Sequence, residues 1–325
     1  MTGIPGDKTE TQGSDSNKIA AKASVVVLLV LLAGAVVYYK ERMLFIDAPH
    51  MLFRFMNSWY FVIEEYRYGS FISQALPLAG IWLHLPFRAL IILYSASFYM
   101  FYIAIAVLLV YRYRNYGLAV LLGLYLTLFV SDTFYWPNNE VHQGISWLLL
   151  AFALNFYMGF KKRPLLISLF VFTAFFYLAI WTHPLVMIVA VYLWFFFWFD
   201  KKQWPYSRWQ SYLYTAILLV IAFLKFNEGR HHGYDSTKIE IVTGFSVNKA
   251  SAIFSSPQFS FFFKSCITSY WIFSLLFIAG LVALIKERKY ILLLWTIAFA
   301  GGYLFLVFIT FPVFWGSKHV CLCIL

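Results

Sequence analysis

Residues 164–199 read PLLISLFVFTAFFYLAIWTHPLVMIVAVYLWFFFWF, a 36-residue apolar stretch bounded by Arg163 and by Asp200-Lys201-Lys202. At ~1.5 Å per residue one helix of that length would rise about 54 Å, against a hydrocarbon core ~30 Å thick. Thr182-His183-Pro184 lies at its centre, and proline removes the backbone N–H that a continuous helix needs. The chain must therefore turn near His183. The stretch becomes two antiparallel spans whose basic ends lie on one side of a membrane.

Working outward, further apolar runs of similar kind fall at approximately 20–39, 89–110, 116–131, 145–160, 210–225, 265–285 and 290–311. With 164–181 and 184–199 they predict an all-α, polytopic membrane helical bundle of about nine spans. Composition agrees: 62% of the 325 residues are hydrophobic and 12% are charged, whereas a soluble domain is roughly 25% charged. Residues 1–17 are polar and rich in Gly, Ser and Thr, too poor in apolar groups to repay ordering, and are expected to form a disordered cytoplasmic tail. Residues 18–325 are then a single membrane domain. Ala33-Gly34-Ala35 is similar to a signal-peptidase site, but apolar residues continue to Tyr39, so the first span is expected to stay uncleaved.

Orientation follows from the preference of Lys and Arg for short cytoplasmic loops. Arg112 and Arg114, Lys161 to Arg163, Lys201, Lys202 and Arg208, and Lys286, Arg288 and Lys289 occupy alternate connections. They share a side with Lys8, Lys18 and Lys22 if the N-terminus is cytoplasmic. The net charge of +11 is thus an orientation code spread over loops, not a nucleic-acid groove, and no nucleic-acid partner is expected. Cys266, Cys321 and Cys323 contain no CxxC pair and read as buried thiols, not zinc ligands.

The opposite connections hold Glu41, Asp47, Glu64, Glu65, Asp132, Glu140, Glu228, Asp235 and Glu240, and all seven histidines lie in them or at adjacent span ends. Two of these loops, 40–88 and 226–264, are long enough to build a site. In the first, residues from Ala48 to about Glu64 suit a helix lying in the membrane interface, and FISQALPLAGIWLHLPF at 71–87 reads as a second interfacial segment. Asp47, His50 and Arg54 stand at i, i+3 and i+7 on one face of the first helix. A carboxylate beside cationic groups can deprotonate a hydroxyl while its neighbours hold an anion. The same Asp47 is also a natural N-cap, with Pro49 in the first turn.

Glu64 and Glu65 are adjacent and diverge on a helix, which argues against a paired acid and base. Glu140 suits the first turn of a helix. His183 at its turn is a candidate site residue. In the second long loop, FNEGRHHGYDSTKIE brings Glu228, Arg230, His231, His232, Asp235 and Lys238 within eleven residues. Such a group can bind phosphate or a divalent metal, although its spacing matches no established zinc motif, and a hydrated loop tip has the same composition.

One N-terminal span, an acid early in a long outer loop with two interfacial helices, and a many-span bundle resemble the GT-C superfamily of membrane glycosyltransferases. Within it the chain is most similar to the bacterial branch of protein O-mannosyltransferases and lipid A aminoarabinose transferases. The resemblance implies transfer of a sugar from a polyprenyl-phosphate carrier to a hydroxyl of a lipid or glycan acceptor, on the outer face of a bacterial inner membrane. It makes Asp47 the catalytic base. His50, Arg54, Arg67, His183, Arg230, His231 and His232 are the candidates for binding substrate, Arg54, Arg67, Arg230, His231 and His232 by stabilising the departing phosphate. No cofactor is required by this reading, though a divalent metal is compatible with it. Two features depart from the family: Ala48 and Pro49 follow Asp47 where a second acid is common, and the chain ends in SKHVCLCIL just after the ninth run, which reads as a truncation or a shifted frame.

Three rival classes share parts of this pattern. A small-molecule transporter would place ionisable groups or broken helices near the midplane, which these spans largely lack. An O-antigen polymerase or ligase would also want basic residues and histidine in outer loops. A non-enzymatic assembly subunit would need those loops only as hydrated connections.

Overall fold

A computed structural model describes residues 8–44, 47–136, 139–200, 204–231, 233–244, 254 and 256–310. Among them all regular structure is helical. The chain divides into two compact units, where the sequence reading has one domain: Met1–Ile63 with Tyr68–Met158, and Glu64–Arg67 with Gly159–Leu325.

The first unit opens with α1 (Lys8–Val37), which begins inside the stretch expected to be disordered, followed by the short α2 (Tyr39–Met43). Then come α3 (Ala48–Ser58), a 3-10 helix at Tyr68–Gln74, α4 (Ala75–Trp82), and α5 (Phe87–Val107), which runs into a π-helical turn, Leu108–Arg112. α6 (Tyr116–Leu128), α7 (Val130–Tyr135) and α8 (Glu140–Phe160) complete it. α1 packs on α5 and α6. A Cβ on Gly123 would stand 2.4 Å from Ser24 Cβ, so glycine is what lets α6 approach α1 this closely.

The second unit contains α9 (Leu165–Ile180), α10 (Pro184–Phe199), α11 (Arg208–His231) and α12 (Gly233–Thr243), then α13 (Pro257–Thr268), α14 (Trp271–Lys286) and α15 (Tyr290–Thr310). Its core is aromatic. Phe172 stacks on Phe176 with ring centroids 4.3 Å apart and meets Tyr214 edge-on at 4.7 Å. Trp194 is fully buried, and its indole N–H donates to Thr215 Oγ1 at 2.8 Å. That bond satisfies the one polar group that burying tryptophan brings along.

Each of the nine apolar runs coincides with helix. Among the described residues, five helices are long and apolar enough to cross a membrane: Asp15–Val37, Phe87–Arg112, Glu140–Phe160, Arg208–His231 and Tyr290–Thr310. A sixth, Phe259–Thr268 with Trp271–Lys286, is bent by 90°. The other three, α6, α9 and α10, are shorter. At 16 residues α9 and α10 rise about 24 Å each, less than the ~30 Å of a hydrocarbon core. The turn in the quoted stretch falls where expected, with α9 ending at Ile180 and α10 starting at Pro184.

Candidate functional site

In the loop after the first span the expected interfacial helix is α3. Its apolar side, Ala48, Met51, Leu52 and Phe55, is buried, the i, i+3, i+4, i+7 pattern of an amphipathic helix. Phe55 meets Tyr94 of α5 edge-on at 5.1 Å. Asp47, His50 and Arg54 all lie on the exposed side. The helix stops at Ser58, well before Glu64, because Trp59 takes a left-handed conformation with φ of 62°.

Asp47 precedes α3, and its carbonyl accepts from Met51 N at 2.9 Å, but its side chain makes no capping hydrogen bond. The cause is local. Its φ and ψ of −88° and −11° are helical, whereas a capping side chain reaches back over the first turn from an extended backbone.

The other predicted residues divide. His183 caps α10, its Nδ1 accepting from Leu185 N at 3.2 Å, which gives this side chain a structural role at the turn. Arg230 and His231 are exposed in the last turn of α11. His232 lies outside the described residues. Arg67 belongs to the second unit. There its guanidinium donates to Asp235 Oδ1 of α12 at 3.1 Å, with side-chain exposures of 13% and 10%.

The structure adds a neighbour to this group that the sequence reading left at the end of a span. Lys225 of α11 is 1% exposed and donates to Glu228 Oε2 at 2.7 Å and to the Glu65 carbonyl at 3.3 Å. Its ammonium also lies 5.2 Å from the centre of the Trp181 ring. α11 and α12 pack closely: a Cβ on Gly229 would sit 3.2 Å from Ile239 Cδ1 and 3.7 Å from Asp235 Cβ. Two cations, two carboxylates and an indole thus occupy this part of the second unit.

A second buried cation was also missed. Arg42 of α2, with 0% exposure, donates through Nε to Ser95 Oγ at 2.7 Å, through Nη2 to Ser95 O at 3.1 Å, and through Nη1 to Phe134 O. Its guanidinium lies 4.6 Å from the ring centre of Phe134 and 5.3 Å from that of Tyr99. Burial pushes Arg42 down to about 10, so it remains a cation at neutral pH.

Elsewhere in the first unit Glu140 stands in the first turn of α8, where negative charge was expected. His142 is buried and shares a 2.6 Å hydrogen bond with the Tyr125 hydroxyl. Cys266 is a half-buried free thiol, and Cys321 and Cys323 lie outside the described residues. No group of three or more His, Cys, Asp or Glu among the described residues is arranged to hold a metal ion.

The long apolar helices mark an integral membrane protein that is helical in all its regular structure among the described residues. Compared with known protein families, curated proteins and solved structures, the chain matches none.

Proposed function

We propose that this protein is a membrane glycosyltransferase that moves a sugar from a polyprenyl-phosphate carrier to a hydroxyl of a lipid or glycan acceptor. The observation that carries the reading is the exposed face of α3. There Asp47, His50 and Arg54 lie exposed along the same side of the helix. The Asp47 carboxylate takes the proton from the acceptor hydroxyl as that oxygen attacks the sugar's anomeric carbon. Arg54 and His50 favour the negative charge gathering on the departing phosphate. In this reading the N-terminus is cytoplasmic and the α3 face lies on the outer side of a bacterial inner membrane, which the alternation of basic loops supports.

His183 Nδ1 caps α10, the Arg67 guanidinium pairs with Asp235, and Arg230 and His231 are exposed at the end of α11 in the second unit. The test is incubation of the purified protein in lipid nanodiscs with a panel of radiolabelled polyprenyl-phosphate sugars and a membrane extract. Label passing to the extract with at least one donor supports the reading. Label staying on every carrier argues against it and returns the transporter and assembly-subunit readings to the front.

A further inference from the structure

The segment Glu64–Arg67 belongs to the second unit, although the residues on both sides of it in the chain belong to the first. Glu65 and Tyr66 both have positive φ, 48° and 53°, a left-handed conformation that side chains with a Cβ adopt only when their surroundings enforce it. Two of the contacts that hold the segment involve these residues and their neighbour. Arg67 is held by Asp235 at 3.1 Å, and the Glu65 carbonyl receives the Lys225 ammonium at 3.3 Å. The loop is also fastened at its base, where Gln74 exchanges two 2.8 Å hydrogen bonds with the backbone of Val62.

We propose that Glu64–Arg67 is a latched strap, closed over Lys225 by the Arg67–Asp235 ion pair and able to open when that pair is released. Closed, the strap places the Glu65 carbonyl on the ammonium and helps to bury it. Opened, it relaxes the two left-handed residues and exposes Lys225 and Glu228 beside Trp181. This inference is independent of the glycosyltransferase reading.

Two readouts on the full-length protein in nanodiscs test it together: hydrogen exchange of the peptide covering 64–67, and acylation of Lys225 by a succinimidyl ester, with exposed Lys18 as reference. Wild-type Lys225 should acylate far more slowly than Lys18. Asp235→Asn should speed both strap exchange and Lys225 acylation about tenfold, the loss expected for a hydrogen bond between charged groups. Exchanging the charges, Arg67→Asp with Asp235→Arg, should return both rates towards wild type. Should Asp235→Asn fail to fold, Arg67→Lys replaces the planar guanidinium by a compact ammonium, weakens the same pair and should speed both readouts. Unchanged rates in Asp235→Asn, or in Arg67→Lys if that variant is lost, would overturn the latch, as would faster exchange without faster acylation.

Discussion

Two buried cations, Arg42 in the first unit and Lys225 in the second, meet the same physical problem by different means. Removing a cation from water costs several kcal/mol even after the protein relaxes. Arg42 offsets this with neutral groups: its forked guanidinium reaches a hydroxyl and two carbonyls while two aromatic rings lie beside it. Three bonds at ~1.5–3 kcal/mol each and ring contacts at up to ~2 kcal/mol each match the penalty in order of magnitude. Lys225 has a single compact charge and uses a carboxylate, one carbonyl and one indole. The Arg42 arrangement has no counter-charge among these partners and is fixed by geometry. The Lys225 arrangement depends on charge and is therefore sensitive to the state of its partner.

The largest effect should come from breaking the second arrangement one-sidedly. Glu228→Gln leaves the Lys225 ammonium without its counter-ion, and should cost about 3–5 kcal/mol, towards the lower end because Glu228 itself is 14% exposed. Thermal unfolding in a mild detergent measures it. Lys225→Met combined with Glu228→Gln should be much less damaging, since neither charge is left stranded; equal losses in the single and double variants would show that charge is not what matters there.

Arg42→Lys comes next, at about 2 kcal/mol, because one ammonium cannot reproduce the fork that reaches Ser95 and Phe134 together. Ser95→Ala should cost about 1 kcal/mol by the same assay, since Ser95 Oγ both accepts from Arg42 and donates to the Ala35 carbonyl at 2.7 Å. A cost for Arg42→Lys below that of Ser95→Ala would refute the geometric account.

The smallest effect belongs to Lys289, in the turn before α15, which pairs with Glu287 at 2.8 Å and Asp200 at 3.1 Å. The hydrogen bond to Glu287, assisted by Asp200, raises this lysine above its ordinary value. Its folded state therefore holds a proton more tightly than the unfolded chain. The resulting stability is complete below pH ~10 and disappears as pH climbs through the raised value. Lys289→Met should lose no more than about 1 kcal/mol at neutral pH, and the difference from wild type should close in strongly alkaline buffer.

The fold was legible wherever hydrophobic length and periodicity carry the information. Helix overlaps each of the nine runs, though only five helices among the described residues are long and apolar enough to span; the break at His183 falls in place, and α3 buries the face its pattern predicts. Less legible were features that depend on contacts between residues distant in sequence. Lys225 closes an apolar run, and its role shows only once Glu65, 160 positions earlier in the chain, is seen against it. Arg42 likewise reads as one more charge after the first span, because Ser95 and Phe134 come from other helices. Polar composition over 226–240 leaves open both a binding cluster and a hydrated loop tip, and does not show that Gly233–Thr243 is helical and packs on α11. Of the candidate site, the shared face of Asp47, His50 and Arg54 follows from spacing alone. The absence of a capping bond at Asp47 does not, since it depends on a backbone conformation that no side-chain pattern encodes.

The most direct measurement for the central claim is the turnover of Asp47→Asn with the radiolabelled donor the wild type accepts, with thermal unfolding of both proteins recorded in the same nanodiscs. Asn keeps the shape of the side chain and removes its basicity, so transfer should fall by about 10²–10⁴-fold while the unfolding temperature stays unchanged. Transfer at the wild-type rate by a normally folded Asp47→Asn protein would contradict the account.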